Sequence, residues 1–399
     1  MTKKKILLAW ELGGGLGHVS RLVMLARHFI EQNCEVMLVV RHLSHVPSVL
    51  QDIQCLTLQA PISLATPQPR RESISFADIL WECGYFSSKE LFGLVAGWQS
   101  IFDLVHPDFL LADFAPTALL AARLYDFKTA WLGGGFLSPP AITPWPDFRP
   151  AQNAPAQLLQ ERETVVLETV NTVLQAMGGT PLKQLVNLFD TNQKFLCTWP
   201  ELDCYDRPAD TRYWGPCVTP DYGQETAWPH PVGTGIFCYL KSDQPQAGPV
   251  LNALRSLDIP VLAYVENLPA EWEQQYGTAR LQFAKSPVKL RALLPDVGLV
   301  ICPGGDGVIA STLLAGKPLL LLPSQAEQLA NANKVATIGA GINAGLDAQA
   351  DFAGFIQKLL SNMTYSESAQ AFACRHQDFS GEQQIANIVS SCLKEISYC

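Results

Sequence analysis

The sequence predicts an α/β protein with two domains, each built on a doubly wound parallel sheet. Apolar runs of strand length alternate with helical patterns, and each half of the chain has a glycine-rich turn between such a run and a helix. The length of 399 residues and the apolar fraction of 48% suffice for two hydrophobic cores. We therefore expect two domains that face each other across a cleft, with one glycine turn at the carboxyl edge of each sheet.

The N-terminal domain, expected over residues 1–225, begins with a strand at residues 5–10 (KILLAW). After Lys5 this run is apolar, as is typical of a parallel strand that is buried on both faces. After the glycines, apolar residues recur at helical spacing, and residues 35–40 (EVMLVV) predict a second strand and hence a βαβ unit. Residues 108–135 repeat the order strand, turn, helix and strand, and Pro116 suits the first helical position.

Prolines mark the irregular parts of the chain. Residues 136–155 combine prolines with aromatic residues and predict a loop that lines a pocket, and residues 157–177 predict a helix. Residues 198–233 have many prolines and little periodicity. We expect the boundary between the domains near residues 220–232.

The C-terminal domain is expected over residues 226–380 and shows the same alternation. The predicted strands are residues 235–240, 259–265, 297–302 and 317–323, and the predicted helices are residues 247–257, 287–294 and about 307–315. We expect residues 381–399 to form a C-terminal helix that packs back on the N-terminal domain.

Composition excludes several classes of function. A net charge of −9 is a poor electrostatic match for nucleic acid, so we expect no nucleic-acid partner. No segment approaches the roughly 18 apolar residues of a membrane helix, and the apolar part of the N-terminal MTKKKILLAW is too short for a signal peptide. We therefore expect a cytoplasmic protein without a transmembrane segment.

The cysteines and acidic residues do not suggest a metal site. The eleven cysteines contain no C-x-x-C motif, which favours reduced, buried thiols. There is no D-x-D motif to hold a divalent ion on a diphosphate. We expect neither a metal ion nor a cofactor.

The turn at residues 11–22 (ELGGGLGHVSRL) is compatible with three kinds of site. It is the mouth of an active site with His18 as its chemical group, a dinucleotide-binding turn, or a turn without a ligand. Its glycines have the spacing G-x-G-x-G instead of G-x-G-x-x-G, and no acid follows the second strand to hold a ribose, although Arg41 is placed to accept a 2′-phosphate. We favour the active site and keep the other two readings as alternatives.

His18 lies where the glycine turn becomes a helix, and the positive end of the helix dipole keeps an imidazole neutral and available as a base. A general base also needs a group that orients the ring and stabilises the cation. Asp113 ends the strand FLLAD at the same edge of the predicted sheet. We expect these two residues to act together; the alternatives are a buried or surface histidine and a helix-capping aspartate.

Three long segments and one short one resemble GT-B glycosyltransferases, above all the family 1 enzymes that move sugars from nucleotide diphosphates onto small molecules. GGGLGHVSRLVMLARHF is similar to the family segment GH-x-x-P-x-x-x-LA, and LLADFAPTALLAARLY resembles the segment whose aspartate pairs with that histidine. TRYWGP (residues 211–216) is similar to a short motif that precedes the second domain in relatives. Residues 300–332 resemble the donor-binding signature. The resemblance implies two Rossmann-like domains, with His18 as catalytic base and Asp113 as its partner.

The resemblance also implies donor and acceptor residues. The implied donor-binding residues are Gly304, Gly305, Asp306, Gly307, Glu327, Gln328 and Lys285. The implied acceptor-side residues are Gly14, Gly15, Gly17, Phe136 and Trp145, and we expect an aromatic acceptor pocket formed by Trp81, Tyr85, Phe86, Phe136, Trp145 and Phe148. The partners would be a nucleotide-sugar donor and a small, apolar or aromatic acceptor, with inversion and without a metal ion.

The chain departs from the family pattern on the donor side. Pro303 stands where relatives place a histidine on the diphosphate, and Ser311 stands where they have a glutamate for the ribose. Lys285 and Val288 replace the aromatic residue and the glutamine around Pro287 in the base-binding motif. These losses leave a non-catalytic GT-B protein that binds a ligand or partner as the main alternative to an enzyme.

Overall fold

The computed structural model describes residues 3–47, 49–50, 53–149, 153–217, 223–224, 228 and 235–397. The chain forms two compact units. The first consists of Met1–Trp199, Tyr205–Cys217 and Ser380–Cys399, and the second of Pro200–Cys204 and Val218–Phe379.

The first unit contains a six-stranded parallel sheet. Its strands are β1 (Lys5–Trp10), β2 (Glu35–Val40), β3 (Leu56–Gln59), β4 (Phe109–Asp113), β5 (Lys128–Gly133) and β6 (Gln193–Leu196). Their order is β3-β2-β1-β4-β5-β6, that of a Rossmann sheet. Residues 6–10 of β1 have no exposed surface, as the apolar run predicts.

The helices of the first unit connect these strands. They are α1 (Leu16–Glu31), α2 (Phe76–Leu80), α3 (Ser88–Val105), α4 (Pro116–Ala122) and α5 (Ala156–Ala176). The strand order reverses between β1 and β4, which pair in parallel with Ala9 opposite Ala112. Parallel sheets bind ligands at the carboxyl side of such a switch point. The ends of β1 and β4 therefore place the residues that follow Trp10 next to Asp113.

The second unit repeats this architecture. Its strands are β7 (Gly235–Lys241), β8 (Val261–Glu266), β9 (Leu281–Ala284), β10 (Val297–Cys302), β11 (Leu319–Leu321) and β12 (Gly341–Asn343). The order is β12-β11-β10-β7-β8-β9, with the switch point between β7 and β10. Its helices are α6 (Ala247–Arg255), α7 (Ala270–Tyr276), α8 (Leu290–Leu293), α9 (Asp306–Leu314), α10 (Ala326–Thr337), α11 (Phe352–Ser361) and α12 (Met363–Arg375).

Two predicted elements are about half their expected length in the structure. The strand expected over residues 317–323 is reduced to β11, because Pro318 has no N–H to donate to a ladder. The helix expected over residues 287–294 begins only at Leu290, after Pro287, and continues as a 3₁₀ turn at Leu294–Asp296.

The C-terminal helix, α13 (Gly381–Ser397), belongs to the first unit and packs against α1, β5 and β6. Its buried face includes Ile388 and Cys392. Gln384 Nε2 donates a hydrogen bond to the carbonyl oxygen of Trp214 over 2.9 Å. Among the described residues, no helix is both long and apolar enough to cross a bilayer.

Candidate active site

His18 and Asp113 meet at the switch point of the first sheet. His18 lies in the first turn of α1, and Asp113 is the last residue of β4 and has no exposed surface. His18 Nδ1 lies 3.0 Å from Asp113 Oδ1. The structure thus brings together the two residues that the sequence suggests as base and partner.

A third residue, Arg21, completes this cluster. Arg21 Nε donates to Asp113 Oδ2 and Arg21 Nη2 donates to Asp113 Oδ1, each over 2.7 Å. Burial raises the pKa of Asp113, but the charges and hydrogen bonds of Arg21 and His18 outweigh it, so that this pKa lies below its ordinary value. Asp113 is therefore a carboxylate, and a carboxylate only accepts hydrogen bonds.

The ionised Asp113 favours the tautomer of His18 in which Nδ1 carries the proton. If Nδ1 carries the proton, it donates to Asp113 and Nε2 keeps a lone pair that can take a proton from a substrate. Arg21 Nη2 lies 3.2 Å from the same Nδ1 and would donate to it in the opposite tautomer. The two neighbours of Nδ1 thus favour different tautomers.

Two aromatic rings stack on the imidazole of His18. The ring of Trp10 lies with its centroid 5.3 Å from that of His18 and an angle of 13° between the planes. The ring of Phe114 lies at 5.9 Å and 25°. The exposed fraction of the His18 side chain is 10%. The ring is fixed, but it is not sealed from solvent.

The glycine turn keeps the space in front of Nε2 open. Gly13 has a φ of +77°, and a Cβ atom built there would lie 3.2 Å from His18 Nε2 and 3.1 Å from the ring of Phe114. Gly14, Gly15 and Gly17 have no heavy atom within 4 Å of a built Cβ. Glycine at residue 13 therefore adopts the positive φ angle without strain and leaves room for a reacting group at Nε2.

Arg41, which the hypothesis of a dinucleotide-binding turn places on a 2′-phosphate, forms hydrogen bonds within the protein. Its Nη1 donates to the carbonyl oxygen of Glu11 over 2.8 Å, and its Nε donates to His42 Nε2 over 3.2 Å. These contacts tie the end of β2 to the end of β1.

Glu11 anchors the same edge of the sheet from inside. Its Oε2 accepts a hydrogen bond from Trp98 Nε1 over 2.7 Å, and its Oε1 accepts from the backbone N–H of Thr117 at the start of α4. A carboxylate at a helix N-terminus is stabilised by the helix dipole. Burial nevertheless dominates and raises the pKa of Glu11 to about 7.

We expect Glu11→Gln to flatten the pH dependence of stability. The folded protein holds this proton more tightly than the unfolded chain, whose value is 4.5. The free energy of unfolding therefore falls as the pH rises from about 4.5 to 7, by about 3 kcal/mol from this group, and then levels off. Urea unfolding at pH 5 and pH 8 measures the fall for the protein and for the variant; an equal fall in both would contradict this role of Glu11.

The predicted donor turn lies at the switch point of the second sheet, between β10 and α9. Gly304 has a φ of +103°, and a Cβ there would lie 3.2 Å from the carbonyl oxygen of Gln328. At Gly305 and Gly307 a Cβ would meet no heavy atom within 4 Å. The backbone at the start of α9 is thus open to a close ligand, and helix N-termini favour anions.

Side chains of α10 hold this turn in place. Asn331 Nδ2 donates to the carbonyl oxygen of Gly304 over 3.1 Å and to Asp306 Oδ1 over 2.7 Å. Gln328 Oε1 accepts from the backbone N–H of Ser324 over 2.9 Å and from its hydroxyl over 3.0 Å. Asn331 lies within residues 300–332, the segment that resembles the donor-binding signature, and its two hydrogen bonds link the turn to α10.

The remaining predicted donor residues are placed differently. Glu327 is half-buried in the first turn of α10 and adjoins Gln328. Lys285 follows β9 and forms an exposed ion pair with Glu273 of α7. Pro303 is buried and Ser311 is half-buried on α9. The structure brings Gly304 to Gly307 together with α10, whereas the described contact of Lys285 is with α7.

The predicted acceptor aromatics form three separate contacts. Phe136 packs on Phe148 with ring centroids 5.0 Å apart, and Trp81 packs on Phe86 at 6.1 Å. Trp145 is 1% exposed and packs edge to face on Phe76 at 5.4 Å. Most of these rings belong to the core of the first unit.

The chain has the GT-B fold of glycosyltransferases. This fold consists of two parallel sheets of this strand order, and in each sheet a glycine turn and a helix follow the strand at the switch point. Solved structures match the chain over nearly its whole length. The glycosyltransferase VinC, solved with DTDP, has a TM-score of 0.69 at 13% identity and covers 99% of this chain and 100% of its own. The spinosyn rhamnosyltransferase SpnG, solved with spinosyn aglycone, has a TM-score of 0.65 at 17% identity and covers 96% of this chain and 99% of its own.

Sequence comparison gives the same class. A PGL/p-HBAD biosynthesis glycosyltransferase of Mycobacterium tuberculosis is 25% identical over 320 residues, which are 72% of this chain and 71% of the relative. No family model matches the chain. The predicted resemblance to GT-B glycosyltransferases is thus confirmed.

Proposed function

We propose that this protein is a glycosyltransferase that moves a sugar from a nucleotide diphosphate to a hydroxyl group of a small, apolar or aromatic acceptor. The observation that carries the proposal is the contact of 3.0 Å between His18 Nδ1 and Asp113 Oδ1, because it leaves Nε2 beside the open space at Gly13. A protein that only binds a ligand does not need an oriented imidazole at that place.

The relatives support a nucleotide donor and a small acceptor. VinC was solved with DTDP, and SpnG was solved both with thymidine diphosphate and with spinosyn aglycone. We propose a nucleoside diphosphate sugar as donor, bound at the turn from Gly304 to Gly307.

The proposed reaction is a single in-line displacement. His18 Nε2 takes the proton of the acceptor hydroxyl, the acceptor oxygen forms a bond to the anomeric carbon, and the bond from that carbon to the diphosphate oxygen breaks. The diphosphate leaves with the electron pair, and backbone N–H groups at the start of α9 take up its developing charge. One displacement without a covalent enzyme intermediate inverts the anomeric centre, and the amides supply the charge stabilisation without a metal ion.

A non-catalytic binding protein is the second candidate, favoured by Pro303 and Ser311 in place of the family's histidine and glutamate. Both candidates predict ligand binding, but only the enzyme forms a glycosylated product. Product analysis therefore separates them.

The test combines binding with product analysis. We expect TDP or UDP at 100 times its Kd to stabilise the protein by about 2.7 kcal/mol in a thermal-shift assay, and a TDP- or UDP-sugar to yield a glycosylated acceptor by mass spectrometry. Gly305→Val should abolish the nucleotide shift without changing the melting temperature of the free protein, because the φ of −70° suits any residue and the built Cβ meets open space. No shift with any nucleotide would contradict the proposal, and a shift without product would favour the binding protein.

A further inference from the structure

Arg21 is the charged residue of the cluster that the proposed mechanism does not use. It lies one helical turn after His18 on the same face of α1, so both side chains reach Asp113. In the family segment GH-x-x-P that this turn resembles, the residue at this position is proline. Arg21 and Asp113 are both buried, and their two hydrogen bonds of 2.7 Å form a bidentate pair.

This pair changes the charge around the base. In a simple pair of histidine and aspartate, the free carboxylate stabilises the imidazolium that forms as the proton arrives. Here Arg21 already neutralises Asp113, and Arg21 Nη2 lies 3.2 Å from His18 Nδ1. A protonated His18 would place a second positive charge beside the single negative charge of Asp113, at a site where the His18 side chain is only 10% exposed and little water screens the repulsion.

The other titratable groups nearby do not restore a negative charge. Burial, together with a hydrogen bond that the Cys197 thiol donates to Cys217, raises the pKa of Cys197 well above its ordinary value, so this thiol beside Arg21 and Asp113 stays neutral. Burial, Arg41 and His45 lower the pKa of His42, which packs edge to face on Trp10. Burial raises the pKa of Glu11 to about 7, and its side-chain oxygens accept hydrogen bonds from Trp98 and from the start of α4, not from this cluster.

We infer that Arg21 restricts the acceptor to acidic hydroxyl groups, and that the acceptor is a phenol. A phenolic hydroxyl has a pKa of about 10, whereas an alkyl hydroxyl is close to water at about 16. The O–H proton passes to His18 Nε2 in either case, but a phenol needs less help from a stabilised imidazolium. This inference rests on the proposed function and specifies its substrate class.

Matched pairs of acceptors test the inference on the unmodified protein. Phenol and cyclohexanol, and 4-ethylphenol and 4-ethylcyclohexanol, have similar shapes and differ mainly in acidity. With the most active of TDP-glucose, TDP-rhamnose and UDP-glucose as donor, we expect kcat/KM for each phenol to exceed that of its partner by about 100-fold or more. Equal use of the alcohols would overturn the inference alone, and no transfer to any acceptor would overturn the proposed function with it.

Two variants separate the charge of Arg21 from its shape. Arg21→Gln removes the charge and keeps an N–H donor. We expect this variant to lower the ratio of kcat/KM for a phenol to kcat/KM for its alcohol partner by about tenfold. We also expect the acid limb of the pH profile of kcat/KM to move to higher pH. Arg21→Lys keeps the charge and should retain the ratio of the unmodified protein. An unchanged ratio and pH profile in a folded Arg21→Gln protein would overturn the inference; if that variant does not fold, the acceptor pairs decide it.

Discussion

Replacement of His18 by alanine is expected to lower kcat/KM for sugar transfer by about 10²–10⁴-fold, the usual contribution of a placed general base. The variant removes the atom that takes the proton but leaves the turn from Gly304 to Gly307 in the second unit unchanged. Binding of TDP or UDP, measured by titration calorimetry, should therefore remain. Loss of turnover with retained binding is the signature of a catalytic residue.

His28 provides a matched control for this experiment. It lies on the same helix, is half-buried, and its Nδ1 is 3.1 Å from the carbonyl oxygen of Met24. His28→Ala therefore removes an imidazole from α1 without touching Asp113, and it should keep full activity. Unchanged turnover in His18→Ala would remove the base from the mechanism, and equal losses in both variants would show that α1 had only been destabilised.

The framework of the fold is predictable because residues with strong backbone preferences mark the ends of its elements. β1 after Lys5 and all of β10 lack polar side chains, and the turns after them contain Gly13 and Gly304, whose positive φ angles other residues rarely adopt. Pro116 begins α4, as the sequence predicts. These signals are local, so a single sequence reveals them.

The charge balance of the site is harder to predict. Arg21 stands three residues after His18, and the spacing alone places both on one face of α1. An arginine on a helix is usually solvated, however, and nothing local shows that this one folds inward onto Asp113. The sequence thus identifies the histidine and aspartate but does not show that the carboxylate is shared.

The position of the aromatic residues, in a pocket wall or in the core, is also difficult to predict from the sequence. Periodicity and composition do not distinguish the wall of a pocket from the interior of a domain, because both favour large apolar side chains. Trp145, which we expect on the acceptor side, is 1% exposed, and its backbone N–H donates to the buried Glu163 over 2.8 Å. The loop is fixed on α5 by this bond, which no pattern in the sequence indicates.

Asp113→Asn is expected to destabilise the first unit by about 3–5 kcal/mol, the usual effect of leaving one member of a buried ion pair without its partner. The amide has the size of the carboxylate but neither its charge nor two acceptor oxygens, so the guanidinium of Arg21 stays buried without compensation. Turnover should fall as well, because a neutral amide favours the Nδ1-protonated tautomer of His18 less than a carboxylate does and does not stabilise the imidazolium by charge. Urea unfolding and acceptor kinetics measure the two effects.

A double-mutant cycle shows whether the ion pair is the cause. Arg21→Gln combined with Asp113→Asn removes both charges, and the double variant should lose less free energy of unfolding than the two single losses together. The pKa of Asp113 is lower in the folded protein than its ordinary 3.8, so its contribution is complete above that pH and is lost as the pH falls through the folded pKa. The difference in free energy of unfolding between the unmodified protein and Asp113→Asn should therefore become smaller in acid. If the losses are strictly additive and this difference does not change with pH, the charges of Arg21 and Asp113 do not stabilise each other.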